Sequence, residues 1–247
     1  MVPGVAHAFS TRRADGRADF DMGGVDGKNP ARDARRVRFL RAAGLAASVP
    51  AVLKQVHGAR IVRAMGDGEP EEADGGIWIR GESVAAPSVR SADCVPILLL
   101  DREGGAAAAV HAGWRGTAAR IAVRALEILE LHGVPPRRVV AALGPAILPC
   151  CYRVGPDVAR AVLTTTGDFA GPGAGPGKGI ALDLHAANHR QLASAGVPRE
   201  AIHAAPWCTG CRADLFYSHR REGSGAGRMM AAVGAAAPGK AGGIDPS

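Results

Sequence analysis

Three side chains, far apart in a sequence of 247 residues, have the chemistry to hold one metal ion: His57, Cys94 and His111. Each stands at the end of a predicted strand. His57 precedes Gly58, Cys94 opens the apolar run 95–100, and His111 closes the run 106–110 ahead of Ala112-Gly113. Two imidazoles and a thiolate make a good zinc set. Three protein ligands leave a fourth position for water, which is the catalytic arrangement rather than the structural one. The spacing carries no HxxxH-type signature, so a buried cysteine beside two hydrogen-bonded histidines suits it as well. A third reading pairs Cys94 as nucleophile with His111 as base, with Asp93 orienting the imidazole. That reading leaves His57 without a task.

Other residues suggest ligand chemistry. Arg12 and Arg115 lie in predicted loops, where an arginine can clamp a phosphate or carboxylate through two parallel hydrogen bonds. Gly113 and Gly116 let backbone amides approach a ligand. Cys208-x-x-Cys211 reads as half of a zinc site or a redox pair. The adjacent Cys150-Cys151 does not easily place both sulfurs on one metal, so loop thiols are the default there.

The elements that must position these groups follow from apolar periodicity. Runs 95–100 and 106–110, joined by Gly104-Gly105, predict a buried hairpin that brings Cys94 and His111 together. Residues 51–56 and 60–64 predict a second hairpin, turning at His57-Gly58. Asn29-Pro30 opens a helix that stops at Gly44, with Asp33 in its first turn. Its arginines Arg32, Arg35, Arg36, Arg38 and Arg41 predict a mostly solvated face. Thr117 is expected to cap the next helix, and Asp183 a later one. Residues 171–179 read as a Gly/Pro loop, and 228–233 as the last strand. The expected organisation is one α/β (α+β) domain over residues 1–233, with a mixed sheet flanked by helices and a disordered tail at 234–247.

Composition narrows the function classes. Hydrophobic residues are 47% and aromatics only 4%, so Val, Leu, Ile and Ala must build the core. The net charge of +7 is carried mainly by arginine and fits either attraction to anionic substrates or an Ala/Gly/Arg-rich coding bias. Without a block of basic residues or a nucleic-acid-binding motif, no nucleic-acid partner is expected. No apolar run approaches the roughly 20 residues that span a bilayer. The start of the chain has no charged segment followed by an apolar one, and the five cysteines are an odd number, which favours a reduced, cytoplasmic protein.

Several segments together resemble the bacterial polyphenol oxidase (laccase-domain) family, regarded as purine nucleoside phosphorylases with adenosine deaminase activity. They are Phe9-Ser10-Thr11-Arg12, Lys54-Gln55-Val56-His57-Gly58, Ser91-Ala92-Asp93-Cys94-Val95-Pro96 and Val110-His111-Ala112-Gly113-Trp114-Arg115-Gly116. Leu143-Gly144-Pro145, Cys150-Cys151-Tyr152, Cys208-Thr209 and Phe216-Tyr217-Ser218-His219-Arg220-Arg221 continue the match. The resemblance implies an α/β sandwich, mostly monomeric, with His57, Cys94 and His111 as zinc ligands in a surface cleft. It implies phosphorolysis of purine nucleosides, 5′-methylthioadenosine included, and deamination of adenosine to inosine. In that chemistry Asp93 is the candidate for protonating ammonia, Arg12 and Arg115 for holding phosphate, and Gln55 for bonding base or ribose. The chain departs from the family pattern at Phe20-Asp21-Met22, after Ala73-Asp74-Gly75-Gly76, and at His219, where the pattern has tyrosine. Rival readings are copper-dependent phenol oxidation, a Cys94–His111 hydrolase and a peptidoglycan quality-control factor. Laccases need several copper ions and many histidines, commonly as HxH pairs; this chain has eight histidines and no such pair.

Overall fold

The structure is a computed structural model that describes residues 2–14, 16, 19–24, 29–46, 50–64, 70–166 and 179–238. The start of the acidic loop expected at 66–75, the Gly/Pro loop at 171–178 and the tail from 239 lie outside the described residues. In chain order the strands are β1 (Val5–Phe9), β2 (Pro50–Val52), β3 (Ile61–Arg63), β4 (Gly75–Ile79), β5 (Ala86–Ser91), β6 (Val95–Asp101), β7 (Ala106–Ala112), β8 (Val139–Leu143), β9 (Arg153–Val154), β10 (Ile180–Ala181), β11 (Ile202–Ala204) and β12 (Met229–Ala235). The helices are α1 (Pro30–Ala42), α2 (Trp114–Ala118), α3 (Ile121–Leu131), α4 (Pro156–Leu163), α5 (Leu184–Ser194) and α6 (His219–Glu222).

Six strands form one sheet in the order β11-β8-β6-β7-β4-β3, and four form another in the order β1-β12-β5-β2. Both are mixed, where the strand pattern suggested one mixed sheet, and they pack face to face. The hairpin β6–β7 lies at the centre of the larger sheet, with Val95 opposite Ala112 and Leu100 opposite Ala107. Its two faces explain its unbroken apolar sequence, because a strand covered on both sides has no polar face to show. Leu98, Leu100, Ala107 and Ala109 meet Val89, Ala231 and Val233 of the smaller sheet. Ile97, Leu99, Ala108 and Val110 point the other way, against Ile121, Ala125 and Leu129 of α3 and Leu184 and Leu192 of α5. Helix α1 covers the far face of the smaller sheet through Phe39 and Leu40, which touch Ala86, Met230 and Ala232. The layers therefore run helix, sheet, sheet, helix. No helix among the described residues is long and apolar enough to cross a membrane.

Capping chemistry sets α1 as the sequence suggests: Asn29 Oδ1 accepts from Arg32 N at 3.0 Å, and Pro30 stands at the start. Several expectations are corrected. Residues 51–56 and 60–64 do not form a hairpin. β2 joins β5 in the smaller sheet and β3 joins β4 in the larger, because the turn between them is captured by a buried carboxylate described below. Thr117 does not cap a helix. Helix α2 starts after Gly113, and the chain breaks at Arg120 (φ 56°) before α3. Thr117 is buried instead, accepting from Asn188 Nδ2 at 3.0 Å to dock α5. Arg36 is not solvated: it is 5% exposed and donates to the carbonyls of Met22, Gly23 and Gly24. The last strand continues past Val233 to Ala235, and Ala236 bridges Leu45, so the ordered domain extends beyond residue 233.

Candidate metal centre and cleft

The hairpin brings Cys94 and His111 together as the sequence suggests, with Pro96 directly opposite His111 in register. His111 lies within β7 rather than beyond it. His57 arrives from the β2–β3 connection, its ring edge-on to that of His111 with centroids 4.9 Å apart. One donor atom from each of His57, Cys94 and His111 lies within 4.8 Å of the others. Gly113 permits this convergence, because a Cβ there would stand 3.0 Å from Cys94 Sγ and 3.3 Å from His57 Cδ2.

Asp74 holds this geometry. It is fully buried, at the mouth of β4. Its Oδ1 accepts from His111 Nδ1 at 2.9 Å and from the His57 amide at 3.0 Å. Its Oδ2 accepts from the amides of Gly58 at 2.6 Å and Val56 at 3.2 Å. The carboxylate thus fixes the turn that carries one histidine and the ring of the other. With Nδ1 donating to Asp74, Nε2 of His111 is the nitrogen left for a metal, the usual division of labour in carboxylate–histidine pairs. His57 adopts φ 59° and Asp93 φ 96°, left-handed backbone that costs non-glycine residues of order 1–3 kcal/mol. Each is held there by polar contacts: His57 by Asp74, and Asp93 by Thr209 Oγ1 at 2.6 Å and the Arg220 amide at 2.7 Å.

Charge follows from this packing. Burial pushes the Cys94 thiol up, but the facing imidazoles of His111 and His57 outweigh it and bring it down to about 6. Burial pushes His111 down, but the Cys94 thiolate and the Asp74 carboxylate raise it to about 9. A thiolate is the form that ligates soft cations and attacks electrophiles.

The three donors open on a cleft of ≈ 820 Å³. Its walls carry Arg32, Arg35, Arg90, Arg115, Arg220 and Arg228 against Asp21 and Asp93, with Trp114 and Tyr152 as aromatic surfaces. Burial, then repulsion from Arg36, Arg228 and Arg32, lowers Arg90 to about 10, a measure of how closely the cations crowd. Arg115 stacks over Trp114 at 4.4 Å. Its guanidinium has no hydrogen-bonding partner among the described residues. Such a cleft concentrates anions.

Not every expected residue is in place. Arg12 is absent from the cleft lining: its guanidinium is drawn away by Glu222 Oε1 at 3.1 Å, the Ala213 carbonyl and the Tyr217 ring at 4.4 Å. Gln55 lines the cleft, but its amide pairs both ways with the Arg90 backbone at 2.8 Å, as a strand neighbour would. Asp93 and Arg115 do line it. Sequence reasoning missed Asp74, Arg90, Tyr152, Arg220 and Arg228. Asp74 had one visible signal, an acid ahead of two glycines at a strand start; Tyr152, Arg220 and Arg228 lay in segments that carry the family resemblance but were given no role, and Arg90 had no signal.

Fold and site together define a class: an α/β sandwich with a cationic cleft floored by a soft, metal-capable donor set. Residues 6–236 match the family model described as "Multi-copper polyphenol oxidoreductase laccase", and the chain belongs to that family. It is 36% identical over 243 residues to a "Purine nucleoside phosphorylase" of Deinococcus radiodurans, covering 93% of this chain and 89% of that one. It is 37% identical over 193 residues to "Purine nucleoside phosphorylase YlmD" of Geobacillus stearothermophilus, 73% of this chain and 70% of that one. The crystal structure of YlmD superposes with a TM-score of 0.82 at 31% identity, covering 95% of this chain and 93% of that chain. "Adenosine deaminase RL5", from an unknown prokaryotic organism, is 38% identical over 148 residues, 59% of this chain and 56% of that one. The chain is thus an enzyme of this family.

Proposed function

We propose that the chain is a zinc-dependent purine nucleoside phosphorylase, converting adenosine, inosine, guanosine and 5′-methylthioadenosine with phosphate to base and ribose 1-phosphate. It also deaminates adenosine to inosine. The observation that carries this reading is the convergence of His57, Cys94 and His111 at an arginine-walled, aromatic-flanked cleft. The names of the relatives above point the same way. His57, Cys94 and His111 would hold the zinc, and two imidazoles with one thiolate suit that ion. Zinc would supply a Lewis acid able to polarise a substrate atom or activate water at neutral pH.

The chain's own residues do the rest. Arg115, stacked on Trp114 with its N–H donors free of protein acceptors among the described residues, and the neighbouring cleft arginines attract and orient phosphate for attack at C1′. Trp114 and Tyr152 offer faces for a planar purine. Asp93 stands at the cleft wall as the candidate for delivering a proton to leaving ammonia. Gln55 acts through the position of Arg90. The protein works as a cytoplasmic monomer on nucleosides and phosphate, without a nucleic-acid partner.

The test is to incubate metal-quantified protein with adenosine, with and without phosphate, and identify products by mass. Adenine with ribose 1-phosphate is expected with phosphate, and inosine in both cases. His57→Ala should lose the cleft metal and both activities together; undiminished turnover in a variant without the cleft metal overturns the reading. The family description favours one second reading, copper-dependent phenol oxidation. Among the described residues, no converging group of three or more donors holds more than two histidines. Oxidation of a phenolic dye that rises with added copper would support that reading over ours.

A further inference from the structure

Four of the five cysteines play no part in the centre above, and they meet at one place. Cys150 and Cys151 sit in the turn after β8. The amides of Cys151 and Tyr152 both donate to the Leu148 carbonyl there. Cys208 and Cys211 sit in the C-x-x-C turn, which is tied alongside by an Ala146–Cys208 bridge and by Thr209 N donating to Ala146 O at 3.0 Å. All four sulfurs lie within 4.8 Å of one another. Cys211 Sγ is 3.6 Å from Cys150 Sγ and 3.4 Å from Cys151 Sγ. The tight turn at 148–152 brings the two adjacent sulfurs together, contrary to the expectation from their adjacency.

The distances discriminate between chemistries. A disulfide needs about 2.05 Å between sulfurs. A tetrahedral zinc with bonds of about 2.3 Å sets its sulfurs roughly 3.8 Å apart. The observed separations lie near the edges of that tetrahedron and far from a bond. Further features point to metal-bound thiolate. Cys208 Sγ accepts from the Leu148 amide at 3.4 Å, the kind of outer hydrogen bond that ligating groups draw. Gly210 leaves room for the cluster to close: a Cβ there would stand 2.8 Å from Cys151 Cβ and 2.9 Å from its Sγ. Arg221 Nη1 donates to the carbonyls of Thr209 at 2.7 Å and Gly210 at 2.9 Å, setting a cation beside a centre that four thiolates would leave net negative.

We propose that Cys150, Cys151, Cys208 and Cys211 form a closed, four-thiolate site for a soft divalent cation, zinc first, distinct from the centre in the cleft. Four protein ligands leave no open position, so this site is structural. Its role is to clamp the cleft wall. Thr209, inside the C-x-x-C turn, holds Asp93, and Tyr152, next to Cys151, carries the stacked Arg220 at 5.2 Å. Each thiol gives up its proton as the cation binds, so occupancy falls in acid.

The test starts with metal content by plasma mass spectrometry on the full chain, purified without chelator. Two equivalents of zinc are expected. Cys150→Ser/Cys211→Ser should lose one equivalent and lower the melting temperature while keeping the other; His57→Ala should lose only the cleft equivalent. Cobalt loaded into His57→Ala should give the intense thiolate-to-cobalt charge-transfer band of a tetrahedral S₄ centre, a readout that needs no cysteine variant to fold. A single equivalent that disappears in His57→Ala, with the other thiols open to alkylation, overturns the proposal. So does an intact mass two hydrogens lighter, which would report a disulfide.

Discussion

Asp74→Asn is the most informative single change. The carboxylate accepts four hydrogen bonds, two at each oxygen. Asparagine keeps the shape but offers one acceptor oxygen. If its amide nitrogen replaces Oδ2, the amides of Gly58 and Val56 face a donor; if it replaces Oδ1, the His57 amide and His111 Nδ1 do. Either way two groups lose their acceptor, at about 1 kcal/mol for each amide of the partly exposed turn and up to about 3 kcal/mol for the buried His111 ring, or roughly 2–4 kcal/mol in all. Against a typical domain stability of about 5–15 kcal/mol that is a large loss. The same change frees the His111 ring to rotate and releases the turn at His57. Loss of such an outer partner weakens metal binding about 10–100-fold, equivalent to roughly 1.4–2.8 kcal/mol. Urea unfolding of the metal-free variant measures the first effect, and zinc competition against a chelator the second. A variant that is less stable but binds zinc as tightly as the parent would make Asp74 a loop brace only, and would refute the argument that it orients the ligands.

Three further outcomes follow from particular contacts. Gly113→Ala places a Cβ against Cys94 and His57, and should cut turnover on the order of 10²-fold by displacing the donors while the melting temperature of the metal-free protein changes little. Arg115→Gln removes the guanidinium stacked on Trp114; phosphate KM should rise about 10–100-fold, with phosphate-independent deamination unchanged. Equal loss of both activities would show that Arg115 serves the nucleoside instead. His185 is held below its ordinary value of 6.5 by burial, although its ring Nε2 bonds the Gly144 carbonyl at 2.9 Å. Above pH 6.5 the ring is neutral folded or unfolded, so its contribution is at its maximum; as pH falls below 6.5 the unfolded chain takes up a proton that the folded chain resists, and stability drops until the folded pKa is passed. Urea midpoints measured from about pH 7.5 down to about pH 5 should fall, and less steeply in His185→Gln. Parallel curves would assign the acid sensitivity elsewhere.

Local chemistry and short-range pattern were legible in the chain. The two apolar runs around Gly104-Gly105 read as a buried hairpin, and that placed Cys94 beside His111. Asn29-Pro30 set the start of α1 through capping that involves only four consecutive residues. What failed did so where a distant group intervened. The turn at His57 looked like a hairpin because the competing acceptor, Asp74, lies sixteen positions beyond Gly58. Arg12 looked like a phosphate ligand because Glu222, far along the chain, was not visible as its partner.

The sequence by itself determined which strands are buried on both faces, where α1 begins and which three side chains have the softness for a metal, because side-chain type and period depend on neighbours along the chain. The tertiary structure alone decided that His57 reaches the other two, that one carboxylate holds both histidines, that scattered arginines share a cleft and that two pairs of cysteines close into one cluster. Those are matters of distance between segments remote in sequence. Such distances are set by how the two sheets stack, and no local pattern encodes them.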